Sequence, residues 1–93
     1  MRAGFTAAAL ADLEDIIIYT KQNFPRSAAS LERRIRDVIS RIETWPHSGR
    51  TVAERPGVRV VPLIRYPFQI FYIPSGDEIH VLHIHHAARV EEQ

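Results

Sequence analysis

The sequence predicts an α+β domain: an N-terminal αα-hairpin packed on one face of a small, mainly antiparallel, twisted β-sheet, in the order β-α-α-β-β-β. Three observations carry this expectation. Residues 7–44 repeat apolar side chains at steps of three and four, the spacing of amphipathic helices. Residues 65–73, "RYPFQIFYI", and 78–86, "EIHVLHIHH", are rich in aromatic and β-branched side chains suited to strands. The turn sequence Pro74-Ser75-Gly76-Asp77 joins these two runs. A helix pair followed by an antiparallel sheet gathers its helices on one sheet face and leaves the other only partly covered.

Taken in order, residues 2–5 read as a short first strand. Thr6 is the expected N-cap of a first helix, Ala7 to Asn23, whose stripe is Leu10, Leu13, Ile17 and Phe24, widened by Ile16. Asp12 and Asp15 fall on its polar side, early enough to suit the positive end of the helix dipole. Pro25 closes the segment, because a proline pushes the preceding residue out of helical geometry. Ser27 is the expected N-cap of a second helix running to about Thr44, after a connection of three or four residues. Ala28, Leu31, Ile35, Val38, Ile42 and Trp45 form its seam, with Trp45 expected to close it against the sheet. Glu32–Arg36 and Asp37–Arg41 have the spacing of helical ion pairs. The acids interleaved among the five arginines of residues 26–41 mark a solvated helix face rather than a nucleic-acid surface.

Trp45-Pro46 breaks the helix, and residues 47–57, with two glycines and Pro56, read as a loop. Strands are expected at residues 58–65, 68–73 and 78–85. Pro62 cannot donate to a ladder, so the first of these lies at an edge or is bulged. Strict alternation in the last strand places Leu82 and Ile84 with His80 and His86 on one face, and Ile79, Val81, His83 and His85 on the other.

Ninety-three residues make one domain, 1–93, and composition narrows what it does. Absence of cysteine excludes disulfide staples and thiolate chemistry. Asp12, Glu14 and Asp15 interrupt the apolar stretch of residues 10–18, so no signal peptide or membrane span is expected, and the protein is expected to be cytoplasmic. Net charge is +1, without the broad basic field of a nonspecific nucleic-acid binder. Lys21 is the only lysine; every other cation is arginine, the better side chain for bidentate contact with carboxylate or phosphate.

Candidate functional residues gather in the last third. Arg59, Arg65, His83, His85, His86 and Arg89 lie in or beside the strand hairpin and form the expected partner- or target-binding set. RNA cleavage by 2′-hydroxyl attack needs a base, an acid and a cation, and Arg59, His83, His86 and Arg89 supply those residue types. Sheet-face and partner-contact roles explain the same histidines without chemistry. Arg59, leaving the turn Pro56-Gly57, is expected either to meet a partner's carboxylates or to pair with Asp12 or Asp15. Tyr72, flanked by core-like Ile70 and Phe71, is expected to pack rather than react. His83-x-His85 presents two imidazoles on one strand face, as zinc ligands can be, but the sequence offers no clear third ligand, so no metal and no cofactor is expected.

Five short segments, "FTAAALADLEDI", "WPHSGR", "PGVR", "YPFQIFY" and "VLHIHHAAR", occur in an order that resembles the RelE/ParE superfamily of toxins across nearly the whole chain. The resemblance implies a toxin held inactive in a hetero-oligomer by a cognate antitoxin whose C-terminal segment wraps it. It also implies one of two targets. RelE-like members resemble ribosome-dependent mRNA endonucleases; ParE-like members resemble inhibitors of DNA gyrase that act by binding. The RelE-like pattern wants an arginine where Gln69 stands, lysines where Val60, Val61 and Pro62 stand, and a C-terminal tyrosine where Glu91-Glu92-Gln93 ends the chain. The ending His86-Ala87-Ala88-Arg89 is nearer the ParE-like form, although His83 replaces its usual arginine. The expectation is therefore a ParE-like gyrase inhibitor, the alternative being a nuclease acting on mRNA at the ribosome.

Overall fold

In the structure, a computed structural model describing residues 1–87, the chain forms β1 (Arg2–Phe5), α1 (Ala7–Asn23), α2 (Pro25–Thr44), β2 (Arg50–Thr51), β3 (Arg59–Pro62), β4 (Phe68–Ser75) and β5 (Glu78–His86). The strands make one sheet in the order β1-β5-β4-β3-β2. β2 to β5 pair antiparallel with their neighbours, and β1 joins β5 in parallel. The α+β expectation and its element order hold, with β2 added inside the stretch read as loop. β3 is shorter than expected, because Leu63 to Tyr66 turn back through a Tyr66 N–H to Leu63 carbonyl bond of 3.0 Å with Arg65 at φ 78°. Pro62 lies beyond the two-residue pairing with β2, so its missing donor faces the open edge.

Both helices form, with corrections to their faces and ends. In α1 the buried residues are Ala9, Ile16 and Thr20. Leu10 and Phe24, expected in the core, are 48% and 57% exposed. Thr6 caps α1 as expected, its hydroxyl accepting from Ala9 N–H at 3.1 Å. α2 begins at Pro25 rather than after Ser27, and Phe24 alone joins the helices. Proline suits a first helical turn, where its absent N–H costs nothing. The α2 seam of Ala28, Leu31, Ile35, Val38 and Ile42 is buried throughout. Trp45 is not part of it, being 64% exposed. Neither Glu32–Arg36 nor Asp37–Arg41 closes; the one ion pair among the described residues is His80–Glu78 at 3.3 Å.

A bulge sets the faces of β5. β4 and β5 pair Ile70 with Ile84 and Phe71 with His83, then Tyr72 with Val81, so Leu82 is an extra residue. Bulges re-aim side chains, and this one shifts the alternation by one place. Ile79, Val81 and Ile84 therefore all enter the helix-side core with Ile70 and Tyr72. Leu82 packs on Val58, Val60 and Phe71 on the far face, which His83 and His85 share. The expected grouping of Leu82 with Ile84, and of the two histidines with Ile79 and Val81, is corrected accordingly. Val52, from the β2–β3 connection, covers part of that far face.

The "WPHSGR" segment is a latch at the end of α2. Tyr72, 0% exposed, donates its hydroxyl to the Pro46 carbonyl at 2.8 Å and accepts from Gly49 N–H at 2.9 Å. Arg59 Nη1 donates to the His47 and Gly49 carbonyls at 3.0 and 2.8 Å. The helix acids Asp12 and Asp15 are therefore not its partners, contrary to one expectation. A Cβ on Gly49 would stand 2.6 Å from the Tyr72 hydroxyl, so only glycine lets the loop approach. We expect Tyr72→Phe, which orphans the buried Gly49 N–H, to cost about 1–3 kcal/mol. Gly49→Ala should cost a similar ~1–3 kcal/mol by overpacking. Urea titration of both variants against wild type reads this directly; an unchanged midpoint for Gly49→Ala would contradict the latch.

Candidate functional site

β1 is too short to cover β5. Its pairing runs from Arg2 opposite Glu78 to Phe5 opposite Val81 and stops there. Beyond it the start of α1 takes over the open edge. Thr6 N–H donates to the Val81 carbonyl at 3.0 Å, and Thr6 Oγ1 donates to the Leu82 carbonyl at 3.0 Å. Further along the helix, Asp12 Oδ2 accepts from Ile84 N–H at 3.0 Å. Two groups of the cap residue Thr6 and one of α1 thus satisfy backbone that a longer β1 would have paired.

This edge bond holds the Asp12 carboxylate beside His83 and His85. The potential ligand atoms of the three all lie within 4.8 Å of one another. The two imidazoles are 4.8 Å apart between centroids and inclined by 31°. His85 also leans on Phe71, its ring 5.7 Å away, and the Arg55 guanidinium stands 5.8 Å from the centre of that Phe71 ring. Burial, then the charges of His85 and Arg55, hold the His83 imidazole below its ordinary pKa; the Asp12 carboxylate opposes them in part.

Around the same edge runs a groove of about 660 Å³ between the second half of α1 and the sheet. It brings together three of the residues singled out in the sequence, Arg65, His85 and His86, with Asp12, Tyr19 and Phe68 along its walls. His86 meets Phe68 edge-on at 5.7 Å. His83 adjoins the groove through His85. Arg59 does not join the set: it lies opposite Tyr72, on the helix side of the sheet, engaged with the latch. Arg89 lies outside the described residues. The groove offers imidazoles, a guanidinium and the carboxylates of Asp12 and Asp15, a set able to bind a hydrogen-bonding partner or to move protons.

Two site residues escaped the sequence reading. Asp12 looked like a dipole-complementing helix residue, and it is 72 positions away from the backbone it caps. Arg55 sat in a stretch read as loop. The unpaired length of β5 beyond a four-residue β1 was the only available hint.

Two helices on one face of an open, mostly antiparallel sheet, with a single parallel edge strand, make this a toxin fold of the RelE/ParE superfamily. The chain belongs to the family described as ParE toxin of type II toxin–antitoxin system, parDE, whose profile matches residues 4–91. Among solved structures it is similar to the chromosomal ParDE TA system from P. aeruginosa, with a TM-score of 0.79 and 29% identity over 92% of this chain and 95% of that one. It also shares the fold of the YoeB/ParE toxin from Agrobacterium tumefaciens, with a TM-score of 0.63 and 15% identity over 92% and 98% of the two chains. No curated protein matches it. Among the described residues no helix is long and apolar enough to cross a membrane.

The lowered His83 value has a signed consequence. The folded state takes up this proton less readily than the unfolded chain, whose histidine titrates near ~6.5. Its contribution is therefore fully present above that pH and is lost as pH falls through the folded value. NMR titration of metal-free protein should give His83 a midpoint below 6.5. His83→Gln should flatten the acid side of the stability profile; a midpoint above 6.5 would refute the assigned environment.

Proposed function

We propose that this ParE-family toxin acts by binding DNA gyrase, and that a cognate antitoxin neutralises it in a hetero-oligomer. The observation that supports binding over cleavage is the separation of the cleavage candidates. Arg59 is committed to the His47 and Gly49 carbonyls on the helix side, whereas His83 faces the far side with Phe71. A phosphorane needs acid, base and cation converging on one phosphate. Gln69, opposite His85, adds no charge where a RelE-like chain would carry arginine.

The helices offer the antitoxin a seat. Leu13 and Ile17 of α1 line a groove of about 230 Å³ with Ile35 and Ile39 of α2, and Leu10 stands exposed on the same helix. An amphipathic segment that folds on binding could bury this apolar surface. Similarity to the chromosomal ParDE TA system from P. aeruginosa supports an antitoxin as the partner.

A second reading is favoured by the groove that collects Arg65, His85 and His86: cleavage of mRNA at the ribosome, with the imidazoles moving protons and arginine facing phosphate. Two assays separate the readings. With purified gyrase, excess toxin is expected to lower supercoiling or trap the cleaved-DNA complex, and unaltered supercoiling with no trapped complex would reject the binding proposal. Primer extension on translated mRNA is expected to show no new ends. Codon-linked ends abolished by His85→Ala with His86→Ala would establish the nuclease instead.

A further inference from the structure

We propose that Asp12, His83 and His85 form a binding site for one divalent transition-metal ion, for which Zn²⁺ is the best-suited candidate. The inference stands apart from the gyrase reading and needs none of it. Two imidazoles and a carboxylate are the borderline nitrogen–oxygen donor set that zinc accepts, and three protein ligands leave a fourth position open to water. The donors already lie within 4.8 Å of one another. Around a tetrahedral zinc they would sit about 3.4 Å apart, so the ion would draw the three side chains together.

Pre-organisation is what distinguishes this cluster from an accidental one. The histidines are two positions apart on one strand face, which fixes their separation. Phe71 flanks His85 at 5.7 Å. The Ile84 N–H bond at 3.0 Å occupies one carboxylate oxygen of Asp12 and aims the other, the kind of outer bond that orients metal ligands. The Arg55 guanidinium near Phe71 opposes the ion, and the Asp12 carboxylate offsets it. Bound metal would tie α1 to the free edge of β5. Because only the folded chain presents all three donors together, binding must raise the melting temperature.

The test uses untagged, chelator-stripped protein titrated with ZnCl₂ by calorimetry, with melts run in parallel. Saturable binding of one ion per chain and a raised Tm are expected. Asp12→Asn keeps an acceptor for Ile84 N–H, and His85→Gln is close in size, so both should fold. Each should weaken binding by at least about tenfold, the lower end of what even ligand-orienting changes cost. His80→Gln, at the opposite end of β5 beside Glu78, should bind as wild type does. Arg55→Gln should bind more tightly. Absence of saturable binding would overturn the site, as would full affinity in either ligand variant or an equal loss in His80→Gln.

Discussion

Everything distinctive about this chain depends on how the second half of β5 satisfies its outer edge. A strand edge left bare is both a desolvation liability and a template for unwanted pairing. Here β1 stops at Phe5, and α1 lends the Thr6 N–H, the Thr6 hydroxyl and the Asp12 carboxylate to the remaining backbone. That substitution anchors the start of α1 against the sheet and brings a carboxylate to the strand that carries the histidines. The Leu82 bulge completes the arrangement by sending Ile84 into the core while His83 and His85 stay out of it. A regular β5 could not have done both.

At the other end of the sheet the residues are structural. Tyr72 is an aromatic on the central strand of a toxin fold, yet its hydroxyl is consumed by Pro46 and Gly49. Arg59 is spent on two carbonyls of the same loop. The "WPHSGR" segment is therefore a device for docking the end of α2, and its role is packing rather than chemistry. Fold-level likeness and site-level function are separable here, as they are generally. The side chains that line the two grooves lie around β5 and along α1.

The sequence made the elements legible because their signals are local. Thr6 as cap, the α2 seam and the Gly76 turn each depend on residues a few positions apart. The α1 face was partly misjudged because Leu10 and Phe24, the ends of its apolar stripe, stand exposed, while the buried Ala9 and Thr20 are too small or too polar to announce themselves. Trp45 misled for the related reason that size suggests burial, whereas Pro46 turns the chain away immediately after it. The site was half legible. Its histidines stood out by type and spacing, but Asp12 reaches them only through tertiary contact, and period-two alternation cannot foresee a bulge. Arg59 and His83 looked like neighbours in sequence terms and lie on opposite sides of the sheet.

The pairing of β1 with β5 has a bearing on how the molecule is made. Thr6 and Leu82, which it holds together, are 76 positions apart. Synthesis runs from β1 towards β5, so β1 must wait unpaired until β5 has emerged. Contacts of such long sequence separation close late and slow the search for the native state. Meanwhile the helical hairpin, whose pairing is local, can assemble early and present its greasy side to whatever else is nearby. A nascent chain of this design completes its edge, and with it the histidine cluster, only after β5 has emerged.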